Sequence, residues 1–253
     1  MSGTKKILLV SGCSMTDKNF VSGTNPEMDC SWPKWPELLA KKLDMDCINL
    51  GQNGAGNEYI YSSLLEKILE KKDQIGLVIA SWSQCQRKDY QDGGLWKNKR
   101  IDPQGDIFSW LKKSLRYMIS FQTVCEKYNI PYKQFQMISL FDGWINGLFK
   151  TENEMYKNRY NKDFEKFYKY PGDKINDSFK CSKILTQYEP YINVKNFIGW
   201  PTIENLGGYN VESEVMRDSD SELIQKYTID KWDQHPNEWG HRKIAEFLYD
   251  RLG

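Results

Sequence analysis

Apolar runs and periodic faces divide the first two-thirds of the chain into alternating strand and helix signals. Lys6 to Ser11 reads as a buried strand, because its leucine and β-branched positions run without polar interruption. Pro36 to Leu43 predicts a helix, with the proline in the first turn, where a missing N–H costs little. Cys47 to Leu50 is a short strand running into a Gly51 to Gly56 loop. A helix follows to about Lys72, with Asn57 as its N-cap and Ile60, Leu64, Leu65 and Ile68 at helical spacing. Gly76 to Trp82 predicts a second buried strand, Asp106 to Tyr128 a long helix, and Pro131 to Ile138 a further strand. Strands separated by helices point to a mainly parallel sheet covered on both faces, an α/β architecture.

From about Phe141 to Ser221 the pattern weakens. A charged, tyrosine-rich helix is expected over Asn153 to Tyr168, followed by loop-like sequence with Pro171-Gly172, Pro190, Pro201 and Gly207-Gly208. This stretch, about 141–221, reads as an insertion that caps a single domain spanning 1–253. The last helix, Glu238 to Leu252, carries Ile244, Ala245, Phe247 and Leu248 on one face and closes the sheet. No internal repeat is apparent.

Composition narrows the classes. A chain of 253 residues suffices for one large α/β domain, and a net charge of +1 gives no global electrostatic case for nucleic acid or anionic membrane. No apolar run approaches the ~20 residues of a membrane helix. Met1 to Lys6 leads into a short apolar segment without a small-residue cleavage site, so that segment reads as a first strand and the chain as cytoplasmic. The six cysteines are scattered without a Cys-x-x-Cys pair, which favours reduced, separately buried thiols over a disulfide framework or a metal site. No cofactor motif is present either. A dinucleotide fingerprint starting at Gly54 fails at Tyr59, and no phosphate-binding Gly-x-x-x-x-Gly-Lys loop occurs. Nine tryptophans and fifteen tyrosines suit core packing, and also a carbohydrate cleft.

The candidate chemistry gathers in four places. Both histidines lie in Asp233-Gln234-His235-Pro236-Asn237-Glu238-Trp239-Gly240-His241, so a general base at neutral pH is here or absent. Pro236-Asn237 reads as a turn into the last helix. Gly12-Cys13-Ser14 follows the first strand and delivers a hydroxyl to the carboxyl edge of the sheet, where open α/β sheets bind ligands; a helix-capping serine is the plainer alternative. Asn49-Leu50-Gly51-Gln52-Asn53-Gly54 is a glycine loop able to aim backbone N–H groups at an anion, or simply a tight turn. Ser81-Trp82-Ser83-Gln84 ends another strand and offers Ser83 or Gln84 as a donor.

Together these blocks resemble the SGNH hydrolases, serine esterases built on a flavodoxin-like sheet. Gly12-Cys13-Ser14 resembles the Gly-Asp-Ser block, with cysteine in place of aspartate. Asn49-x-Gly51-x-x-Gly54 resembles the second block, and Asp233-x-His235-Pro236-Asn237 the last. The family's Gly-x-Asn-Asp block is replaced by Trp82-Ser83-Gln84, and its Asp-x-x-His spacing is shortened to Asp-x-His.

The resemblance implies a flavodoxin-like three-layer sandwich with a mainly parallel five-stranded sheet, no cofactor, and Ser14, His235 and Asp233 as nucleophile, base and orienting acid. Asp230 is the fallback acid, Cys13 a rival nucleophile, and His241 a structural residue. The oxyanion would be held by the amides of Ser14 and Gly54. The third donor is expected from Ser83, then Asn53, then Gln84. The implied substrate is an acylated small molecule or glycan, with O-acetyl carbohydrate first. Transfer of the acyl group to a sugar and a non-catalytic glycan-binding module are the alternatives. Short SGNH-like proteins of bacteria and their viruses suggest a source.

Overall fold

In the computed structural model the described residues are 5–141, 174–216, 226–230 and 232–252. Five strands form one parallel sheet: β1 (Ile7–Ser11), β2 (Asp46–Asn49), β3 (Ile75–Trp82), β6 (Tyr132–Gln136) and β7 (Phe197–Ile198), in the order β2-β1-β3-β6-β7. The order reverses between β1 and β3, which makes the carboxyl ends of those strands the place where an open α/β sheet forms its cleft. A separate antiparallel hairpin pairs β4 (Lys88–Asp92) with β5 (Leu95–Lys99) across Gly93-Gly94.

Strand β1 shows why the sheet is covered on both faces. Its side chains alternate, so Ile7 and Leu9 enter one core while Leu8 and Val10 enter the other, and all four are buried. The first core is completed by α2 (Asn57–Lys71), α3 (Ile107–Lys127) and α4 (Lys174–Tyr188). The second is completed by α1 (Trp35–Lys42), α5 (Val211–Met216) and α6 (Glu238–Tyr249). Each leucine or isoleucine fully buried this way contributes roughly 1.5–3 kcal/mol. This is the flavodoxin-like three-layer sandwich the motifs imply.

Several details differ from expectation. Asn57 does not cap α2: Gly56 occupies that position and supplies no side-chain bond. Asn57 instead turns into the core, where its amide accepts from the Ser83 N–H at 2.7 Å and donates to Ser114 Oγ at 2.9 Å. The cap comes from the hairpin. Asp89 accepts the N–H of Gly56 at 2.8 Å and that of Tyr59 at 2.9 Å, satisfying helix donors that the α2 sequence leaves open. The hairpin itself carries too little apolar alternation to be legible, although Asp92-Gly93-Gly94-Leu95 is a two-residue turn signal.

The stretch read as loop-like is only partly so. Residues 174–188 are helical, with Cys181, Ile184 and Leu185 in the first core, and Phe197–Ile198 forms the fifth strand. The helix expected over Asn153 to Tyr168 lies outside the described residues, as does much of the expected cap. All six cysteines are unpaired; five are buried, and Cys47 is only partly so, contrary to expectation. No helix among the described residues is long and apolar enough to cross a membrane.

Candidate active site

The chain leaves β1 at Ser11 and turns at once. Gly12 is required there by close approach: a Cβ on it would lie 2.3 Å from Thr16 Oγ1. The Cys13 carbonyl accepts the N–H groups of Thr16 and Asp17, closing a tight turn that carries Ser14 on its crest. Cys13 points away, wholly buried in the core with Leu8, Val10 and Met15, whereas Ser14 keeps 8% exposure. The two adjacent side chains thus face opposite ways.

Three loops are fastened around this turn. The glycine loop after β2 is held by Asn49, whose amide donates to the Thr16 carbonyl at 2.8 Å and accepts the Gly51 N–H at 2.9 Å. Asp17 accepts the Asn53 N–H at 2.9 Å, and the Gln52 N–H donates to the Gly12 carbonyl at 3.0 Å. Gly54 adopts φ +75°, a left-handed conformation that favours glycine, and the Asn98 side chain of β5 lies against it. Arg87, just before β4, donates to the Ala55 carbonyl at 2.9 Å, so the hairpin braces the loop from outside.

The third loop leads into α6, whose N-cap is Asn237, its side chain accepting the Gly240 N–H at 3.0 Å. Just before it, His235 places Nε2 2.8 Å from Ser14 Oγ and Nδ1 2.5 Å from Asp233 Oδ1. The Phe20 ring packs on the imidazole at 4.3 Å between centroids. Burial opposes the charge on Asp233, but hydrogen bonds from His235 and Ser22 outweigh it and hold the carboxyl down at about 2. An ionised carboxylate only accepts, so Nδ1 carries the imidazole proton and Nε2 presents its lone pair to the serine hydroxyl.

Asp230 faces elsewhere. Its carboxylate accepts the N–H groups of Trp232 and Asp233 at 2.6 and 2.7 Å, forming the turn that presents Asp233. His241 sits in α6, 2% exposed, with Nδ1 accepting the Trp35 N–H at 3.3 Å. Burial, then the nearby Lys34 ammonium, pushes its pKa well below the usual histidine value.

The three candidate third donors sit in different settings. Ser83 is wholly buried; its backbone is held by Asn57 and Gln136, and its hydroxyl has no hydrogen-bond partner among the described residues. Gln84 turns toward the hairpin, accepting from Gln86 and Arg87. Asn53 is exposed beside Gly54. Sequence reasoning missed Phe20, Ser22, Asp17 and Asn98, because each matters only through a contact distant in the chain. Among the described residues, no group of three or more His, Cys, Asp or Glu side chains is placed to hold a metal ion.

No protein-family model and no curated protein matches the chain. Among solved structures it is similar to a protein assigned to the G-D-S-L lipolytic family from Desulfitobacterium hafniense, at 13% identity and TM-score 0.49, over 98% of this chain and 99% of that one. It is also similar to the esterase EstA from Pseudoalteromonas sp., at 14% identity and TM-score 0.46 (98% and 96% covered). A catalytic mutant of an acetylxylan esterase from Geobacillus stearothermophilus is similar at 12% identity and TM-score 0.45 (99% and 95%).

Proposed function

We propose that the chain is a serine esterase of the SGNH type that hydrolyses short acyl esters. The observation that carries this reading is the row Ser14–His235–Asp233, with contacts of 2.8 and 2.5 Å in the order that proton transfer requires. His235 takes the Ser14 proton as the hydroxyl attacks the ester carbonyl, and Asp233 stabilises the imidazolium that forms. The imidazolium then protonates the leaving alcohol, and water releases the acyl group by the reverse relay.

The oxyanion falls to the Ser14 and Gly54 amides, each such donor typically worth ~10²–10³ in turnover. A side-chain donor must be reachable by the substrate. Exposed Asn53 meets that condition as the loop stands, whereas the wholly buried Ser83 hydroxyl does so only if its loop opens. For the substrate, acyl groups on carbohydrate are the narrower reading. Trp232 and Trp239, 55% and 63% exposed, flank the histidine loop and offer aromatic faces to a sugar ring.

A hydrolysis screen of short-chain nitrophenyl esters and acetylated sugars, with Ser14→Ala as control, tests the reading. Stoichiometric labelling of Ser14 by a fluorophosphonate and loss of turnover in Ser14→Ala are expected. Preferred delivery of the acyl group to a sugar would make the chain a transferase. Sugar binding without labelling or turnover would make it a binding module.

A further inference from the structure

We infer that Ser22 is a positioning residue for this reaction, fixing the Asp233 carboxylate so that His235 keeps the tautomer its role as base needs. The inference rests on the esterase reading of Ser14, His235 and Asp233 and extends that row by one member.

The hydrogen count at Ser22 sets the direction. Its Oγ lies 2.6 Å from Asp233 Oδ2, 3.0 Å from the Asn25 N–H and 3.3 Å from Thr24 Oγ1. The carboxylate can only accept, so the single Ser22 proton goes to it. The Asn25 N–H can only donate, and with the Ser22 proton committed, the Thr24 hydroxyl must donate as well. Ser22 therefore uses its one proton and both lone pairs, and its hydroxyl cannot rotate without breaking three contacts. It is 1% exposed, so water does not compete for the bond.

Asp233 is clamped at both oxygens as a result. Oδ1 accepts His235 Nδ1–H and the His235 backbone N–H, the latter at 3.1 Å, while Oδ2 takes Ser22. The carboxylate plane, and with it the side of the imidazole that carries the proton, is thereby set. The same loop presses Phe20 on the imidazole face and, through Asp17, holds the glycine loop. One segment between β1 and α1 thus aligns acid, base and oxyanion loop.

The test uses the full chain with Ser22→Ala and Ser22→Thr, folding being checked by thermal melts. Loss of one hydrogen bond to a charged group should lower kcat roughly tenfold to a hundredfold in Ser22→Ala, with KM little changed. Ser22→Thr, which keeps the hydroxyl, should restore most of it. The chain has only two histidines, so ring ¹⁵N shifts report the His235 tautomer without any turnover, with His235→Gln assigning the signals. The wild type should be wholly Nδ1–H, and Ser22→Ala should show an admixture of Nε2–H.

Should Ser22→Ala not fold, Ser22→Cys keeps the volume with a weaker donor and should have a kcat below that of the wild type and of Ser22→Thr, with the same Nε2–H admixture. A folded variant lacking the hydroxyl, with unchanged tautomer and unchanged kcat, overturns the inference while leaving the esterase standing. A wild type with no Ser14-dependent hydrolysis overturns the esterase reading and Ser22's role with it.

Discussion

His235 Nε2 lies 2.8 Å from the Ser14 hydroxyl although 221 residues separate the two in the chain. Ser14 is placed by a turn at the end of β1 and His235 by the cap of α6, so the contact depends on α6 packing against the face of the sheet that carries Leu8 and Val10 of β1. Its consequences are open to measurement.

Ser14→Ala should abolish ester hydrolysis with the fold intact. Cys13→Ala should retain most turnover, because the Cys13 thiol is buried in the core; its cost should appear as about 1 kcal/mol of stability. Parallel assays and melts of both variants decide this. An inactive Cys13→Ala beside an active Ser14→Ala would reverse the assignment.

Asp233→Asn should lower turnover by up to ~10⁴, because an amide at that position can turn the imidazole to the wrong tautomer. Asp230→Asn should cost less than about tenfold, since an asparagine oxygen still accepts the Trp232 and Asp233 N–H groups. Comparing kcat for the two variants distinguishes the acid from the turn that presents it.

Stability should decline on acidification in two windows. His241 has a folded pKa depressed by burial and then by Lys34, so the unfolded chain takes up its proton first. Above ~6.5 this costs nothing, and as pH falls below that value stability is lost. Asp233, held down at about 2, adds stability above the ordinary carboxylate value of ~3.9 that is lost as pH falls through its folded pKa. Urea unfolding from pH 8 to pH 4 should show the first slope, and His241→Gln should flatten it. A slope unchanged in His241→Gln would remove the buried histidine as its cause.

Asp89→Ala should destabilise the protein by roughly 1–3 kcal/mol, because two N–H groups at the start of α2 lose their acceptor. The glycine loop lies immediately before that helix, so turnover should fall as well. Denaturant melts together with kcat/KM check both effects. Full stability in Asp89→Ala would show that α2 does not depend on the hairpin.

By itself, the chain determined the covered sheet and the short blocks from which the proposed site is drawn. Uninterrupted apolar runs at Ile7 to Val10 and Leu77 to Ala80, separated by helical faces, admit few solutions other than a buried parallel sheet. With two histidines in nine residues, the base could hardly be elsewhere. What it could not determine is which neighbours meet. Asp230 and Asp233 lie five and two residues before His235, both within reach of it in sequence, and only the turn that consumes the Asp230 carboxylate decides between them. Asn57 has the residue type of an N-cap, yet Asp89 takes that role from another sheet while Asn57 joins the core. The two-residue strand Phe197–Ile198 has no periodicity to read and exists because β6 offers an unpaired edge. Ser22 and Asp233 meet across 211 residues of sequence. Periodicity is a local property and survives in the one-dimensional chain. Hydrogen-bond partnership between distant loops is settled only when burial forces each polar group to find the acceptor or donor that packing has brought beside it.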